Sequence, residues 1–162
     1  MEIRKRLDLK KLLAGIYVFA LVVYFAIGFM PADATNYEVS AELAIPSIGL
    51  NSDVTQLSLK DHQLETPRTI VGSFARNSHK TLLIGHSTTV FNKLNEVKIG
   101  DEIVYDDTIY YIYNIYTVKK EEVSMGKLLT DEDKDTIVLM TCAGEPIGEL
   151  DATHRLIVWA SR

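Results

Sequence analysis

Nineteen consecutive uncharged residues, 12–30 (LLAGIYVFALVVYFAIGFM), constrain this chain more than any other feature. A helix over them would be about 28 Å long, close to the hydrocarbon thickness of a bilayer. The run is apolar all round, which argues against an amphipathic core helix. Arg4, Lys5, Arg6, Lys10 and Lys11 precede it, and Asp33, Glu38 and Glu42 follow. That asymmetry predicts a single span with the N-terminus in the cytoplasm and the remaining chain outside the cell. The competing reading is a cleaved signal peptide, since Ala32-Asp33-Ala34 has the small-x-small form of a cleavage site. The run exceeds the usual length of a signal core, which favours a retained anchor; either reading exports the rest. The predicted organisation is a basic cytoplasmic N-terminus over 1–11, an anchor over 12–30, a polar linker over 31–42 and an extracellular domain over 43–162.

The first 30 residues hold five basic and two acidic side chains, leaving 12 basic and 20 acidic ones, a net charge of −8, for the rest. Phosphate repels such a domain, which excludes nucleic acid as its partner. There is one cysteine, Cys142, so no intrachain disulfide can form and no cysteine-based metal cluster can be built. A lone thiol is either a buried structural residue or a reactive one.

The exported part reads as mostly β. Short strand-like runs cover 43–48, 52–57, 81–85, 102–105, 109–118, 136–141 and 155–160, separated by turn signals. Residues 109–118 (IYYIYNIYTV) are rich in β-branched and aromatic side chains. Asp106-Asp107 predicts a hairpin turn. TIVLMT and RLIVWA are nearly continuous apolar runs, which predicts strands buried on both faces at the centre of the fold. Helix is confined to a short turn over 87–95, capped by Ser87-Thr88 with Phe91 and Leu94 on one face, and to another over 121–129.

Cys142 closes one of the two central runs and Arg155 opens the other, with twelve residues between them. If these strands pair antiparallel, thiol and guanidinium share one rim of the sheet. A nearby cation favours a thiolate, and a guanidinium can donate to a developing oxyanion. Of the four histidines, His62 and His79 lie in polar stretches. His154 adjoins Arg155, so on a strand it points to the opposite face. His86 follows the apolar run TLLIG at a strand terminus, where proton-transfer groups are commonly placed. Its spacing from Cys142 does not by itself bring the two together.

Four segments in order, LAIPSIGLNSDV (43–54), LIGHSTTVFNKLNEVKIGDEIVY (83–105), VLMTC (138–142) and HRLIVWAS (154–161), resemble the signature segments of sortases. Residues 64–67 also resemble the short segment that precedes the histidine strand in that family. The resemblance implies a closed β-barrel of about eight strands with one or two short helices, behind a transmembrane helix. It implies a cysteine transpeptidase of a Gram-positive-type envelope in which Cys142 is the nucleophile, His86 the acid–base group and Arg155 the cationic stabiliser. The implied substrate is an exported protein with a C-terminal sorting signal of the Leu-Pro-x-Thr-Gly kind. The implied acceptor is an amine of a cell-wall precursor or a pilin lysine; water as acceptor would make a thiol protease. Thr141, Ala143 and Pro146 are the implied substrate-binding neighbours, although Thr141 faces away from the nucleophile on a strand. No cofactor takes part in the bond chemistry.

One departure stands in the cysteine motif: Val138 replaces the usual first threonine. The absence of a C-terminal span and the short segment between Val118 and Thr136 favour a minimal class D, E or F-like member over class B or C. Asp131, Asp133 and Asp135 alternate and invite calcium, but Thr136 stands at the glycine position and Cys142 at the final glutamate position of an EF-hand loop. An L,D-transpeptidase is disfavoured by Thr141 and Gly144, where that class carries Gly and Arg. A papain-like hydrolase is disfavoured because its cysteine precedes its histidine. The non-enzymatic alternative is an anchored β-domain that binds an envelope ligand, with Cys142 buried and inert.

Overall fold

The β-branched and aromatic runs form strands: β1 Val39–Ile45, β2 Leu50–Gln56, β3 Leu59–Lys60, β4 Gln63–Leu64, β5 Val71–Ala75, β6 Lys80–Ile84, β7 Glu102–Tyr105, β8 Thr108–Lys119, β9 Thr136–Pro146 and β10 Ala152–Ser161. Eight of them close into a barrel in the order β1-β2-β5-β6-β9-β10-β8-β7, with β7 pairing back onto β1; β3 and β4 form a separate ribbon. The computed structural model describes residues 37–60, 63–75, 79–130 and 134–162, all within the unit Tyr37–Arg162. The expected span over 12–30, the cleavage site at 34, His62, Asp131 and Asp133 lie outside the described residues. Among the described residues no helix is long and apolar enough to cross a membrane.

The central strands are covered on both sides, as their continuous apolar runs require. Leu83, Ile137, Leu139, Val158 and Ala160 point into the barrel core. Leu82, Val138 and Ile157 point outward, where Leu128 and Leu129 cover them. Leu128 ends the only α-helix among the described residues, α1 Met125–Leu128, whose N-cap Ser124 accepts the Lys127 backbone N–H. At the tip of the β7–β8 hairpin, Asp106 and Asp107 have φ of 48° and 60°. Tyr105 pairs directly with Thr108 there, a two-residue turn of the left-handed kind that matches strand twist.

Four sequence expectations are revised. β1 starts at Val39, inside the stretch read as linker, and its pairing with β2 begins there. β5 has no strong sequence pattern, yet it pairs parallel with β2 and antiparallel with β6. Its Gly72 allows close packing: a Cβ there would sit 2.6 Å from the Leu57 methyl carbons. The segment after His86 is a series of turns ending in a 3₁₀ turn at Leu94–Glu96, not an α-helix. Thr88-Thr89-Val90 is β-branched and disfavours helix, while Phe91 and Leu94 still reach the core. Lastly, β9 and β10 continue past Cys142 and Arg155, so both side chains lie within paired strands rather than at their ends.

Candidate active site

Connectivity places the first two groups. β9 and β10 pair antiparallel, with Arg155 directly opposite Cys142. Directly opposed residues project from the same face, with Cβ atoms about 5 Å apart. Both share the parity of Met140 and Ile157, so they project from the outer face of the barrel, the face α1 covers. Beyond Cys142 the ladder is bulged between Ala152 and His154. Gly144 sits in this bulge at φ 79°, where a Cβ would come within 2.6 Å of His154 Nδ1 and Thr153 Oγ1.

Barrel closure places the third. β6 pairs parallel with β9, with Ile84 level with Met140. Two residues further along each chain stand His86 and Cys142. The Gly85 N–H donates to the Met140 carbonyl at 3.3 Å, and the buried Thr141 hydroxyl donates to the Gly85 carbonyl at 2.7 Å. These bonds carry the register one step beyond the end of β6. At about 4.8 Å between strands, Cys142 is thus flanked by His86 on one side and Arg155 on the other.

The local bonding is specific. His86 Nε2 lies 3.3 Å from the Thr66 carbonyl, which only accepts, so Nε2 is the donor in this bond and Nδ1 is the nitrogen left to exchange a proton. The half-buried Cys142 thiol donates to the Leu150 carbonyl at 3.5 Å. Arg155 Nη1 donates to the Ala152 and His154 carbonyls at 2.9 and 2.8 Å, and Nη2 donates to Asp151 Oδ1 at 2.7 Å. Hydrogen bonds from Lys120 and then Arg155 hold the Asp151 carboxyl well below the usual range, at about 2.

Three clefts among the described residues border Cys142. The first, of about 340 Å³, is largely apolar and runs past Leu64, Ile84, Met125 and Met140 to Arg155. The second, of about 330 Å³, is lined by Ser87, Asn92, Asn95 and Gly144. A third, of about 150 Å³, lies between His86 and the β9–β10 loop. An extended peptide crossing the thiol has one largely apolar approach and one of mixed character, where Phe91 and Leu156 join the polar side chains.

A sortase domain family match covers residues 43–162. The chain belongs to the sortase family. It is 26% identical over 116 residues to a sortase A from Bacillus anthracis, covering 68% of this chain and 55% of that protein. It therefore spans about half the length of that curated relative. A lid mutant of sortase A from Corynebacterium diphtheriae is similar at 26% identity and a TM-score of 0.60, covering 80% of this chain and 72% of that one. Sortase C-1 from Actinomyces oris is similar at 27% identity and a TM-score of 0.60, over 81% of this chain and 75% of that one.

The remaining expected positions of this sortase fall as follows. Thr141 is 4% exposed and its hydroxyl is engaged on Gly85, so its strongest tie is between strands. Ala143 borders two of the three clefts and the exposed Pro146 borders the smallest. Asp135 pairs with His79 and Arg162 at 2.9 Å each. The hydrogen bond from His79, helped by Arg162, lowers its pKa. Residues that sequence reasoning missed are Thr66, Leu150 and Asp151. Thr66 lies within the 64–67 segment noted for its resemblance. Asp151 stands four residues before Arg155, a spacing that could have drawn attention to it.

Proposed function

We propose that this sortase is a cysteine transpeptidase, anchored in the membrane by residues 12–30, that cleaves a Leu-Pro-x-Thr-Gly-like sorting signal on exported proteins. The acyl group passes through a thioacyl-enzyme to an amine of a cell-wall precursor or a pilin lysine. The observation that carries this reading is the flanking of Cys142 by His86 and Arg155 on one barrel face, with two grooves meeting at the sulfur. Among its described residues, the short segment between β8 and β9 holds a 3₁₀ turn and α1, which supports a minimal member of the family.

In the first half-reaction the thiol leaves the Leu150 carbonyl and its proton passes to His86 Nδ1, while Nε2–H stays on Thr66 and keeps the ring oriented. The sulfur attacks the carbonyl before the scissile bond, and the negative charge that forms on oxygen is met by N–H groups of Arg155. The C–N bond then breaks and His86 returns the proton to the leaving amine. In the second half-reaction the acceptor amine loses a proton to His86 and attacks the thioester. The new amide forms, the C–S bond breaks and the sulfur regains the proton.

The test is incubation of the purified full-length protein with a fluorogenic sorting-signal peptide, with and without an amine such as triglycine. The expected result is aminolysis product from the wild type, a trapped thioacyl-enzyme by mass spectrometry, and neither from Cys142→Ala. A Cys142 that resists alkylation at neutral pH, with no product from any sorting peptide, would support the inert binding domain instead.

A further inference from the structure

Arg155 has five N–H groups and its side chain is 15% exposed. Three of the five are taken by the protein: two by the Ala152 and His154 carbonyls and one by Asp151. That leaves Nε–H and the second Nη2–H, which have no partner among the described residues. A guanidinium is planar and rigid, so whatever fixes three of its donors also fixes where the other two point.

The two carbonyls belong to the strand that carries Arg155 itself. Asp151 is the only side chain in the set. Its Oδ1 accepts from Arg155 Nη2 and also from the Ala152 backbone N–H at 2.9 Å, so the carboxylate is itself held in place. Its Oδ2 takes the ammonium of Lys120, which follows directly on β8. The Asp151 carbonyl accepts from the Ile147 N–H at 3.1 Å and closes the β9–β10 loop. The residue before it, Leu150, supplies the carbonyl that holds the thiol. One carboxylate therefore joins β8, β10 and the loop over the nucleophile, and separates two cations that would otherwise face each other.

We propose that Asp151 is the positioning residue for Arg155: it sets the guanidinium plane so that Nε–H and one Nη2–H form the pair offered to the oxyanion of the acyl substrate. This rests on the transpeptidase reading above. Asp151 lines the smallest cleft beside Cys142, but its carboxylate is already engaged by Arg155, Lys120 and the Ala152 N–H. It acts only through Arg155, which sets its signature apart from that of a binding residue or a stabilising surface pair.

The experiment compares full-length wild type, Asp151→Asn, Arg155→Ala and the double variant, with kcat and KM from peptide cleavage and thioacylation rates from single-turnover mass spectrometry. Asn keeps the size and an Oδ1 acceptor for both the Ala152 N–H and Arg155 Nη2, but loses the charge and the Oδ2 acceptor for Lys120. The smaller loss is therefore expected from it and the larger from a variant that cannot reach Arg155. Asp151→Ser, which can still accept from that N–H but is too short for Arg155, is the second variant should the first fold poorly; melting temperatures check both. The expected result is a fall in kcat of about 10- to 100-fold, with KM within about threefold. In the Arg155→Ala background the same substitution is expected to have no further effect, because the group it positions is gone. A wild-type kcat in both Asp151 variants would overturn the inference, as would a loss that adds in full to that of Arg155→Ala. Either result leaves the transpeptidase reading intact. Failure of the wild type to cleave would overturn the reading of function and, with it, this inference.

Discussion

Thr141→Val is the substitution whose consequences follow most directly from the structure. Thr141 is buried on the inner side of β9, and its hydroxyl donates to the Gly85 carbonyl at 2.7 Å across the end of a parallel pair. Valine keeps the branched shape and removes only the donor. A buried carbonyl deprived of a donor costs about 1–3 kcal/mol. For a domain of this size that lowers Tm by roughly 4 °C per kcal/mol. The second consequence is catalytic. Gly85 precedes His86, so the lost bond loosens the imidazole against the thiol, and misplacement of about 1 Å can lower the rate by about 100-fold. Thermal unfolding by circular dichroism reads the first effect and peptide aminolysis the second. Thr141→Ser keeps the donor and loses one methyl, so it is expected to cost about 1 kcal/mol or less and to retain most activity. A Thr141→Val protein as stable and as active as wild type would refute the reasoning. So would equal loss of activity in the Ser and Val variants.

Three further outcomes are expected. Gly144→Ala forces a side chain into left-handed backbone against His154 and Thr153, and is expected to cost about 1–3 kcal/mol in chemical denaturation and to slow alkylation or acylation of Cys142. Leu128→Ala removes a 2% exposed side chain that covers the outer face of β6, β9 and β10; it is expected to cost about 2–4 kcal/mol and, by releasing the Met125 wall of the apolar groove, to raise peptide KM. Asp151 has its carboxyl lowered from 3.8 to about 2, so the stability it contributes is present above about pH 4 and is lost as pH falls through about 2. Denaturant midpoints measured from pH 5 to pH 2 are expected to fall less steeply in Asp151→Asn than in wild type; parallel curves would remove the ionic role of this group.

The two parts of the catalytic geometry differ in how far they could be read in advance. The pairing of Cys142 with Arg155 was legible because two apolar runs joined by twelve residues have one simple solution, an antiparallel hairpin. Such a hairpin aligns the end of one run with the start of the other. The hairpin at Asp106-Asp107 was legible for a similar local reason. β5 was not, because VGSFA carries a glycine and a serine in place of the β-branched pattern, and its strand state comes from the neighbours on either side. The turns after His86 replaced an expected helix because the core takes up Phe91 and Leu94 without needing helical spacing between them.

The amino-acid order alone determined a β-rich domain, two central strands buried on both faces, and a lone cysteine set against an arginine. Only the tertiary structure decided that His86 stands level with Cys142, that the thiol rests on Leu150, and that Asp151 holds the guanidinium. The reason lies in contact range. Hairpin partners meet through a short loop whose closure is cheap and nearly forced, so their register is written locally. β6 and β9 lie more than fifty residues apart and run parallel; their register is set by packing Leu83, Ile137 and Leu139 into one barrel core, which no local pattern encodes.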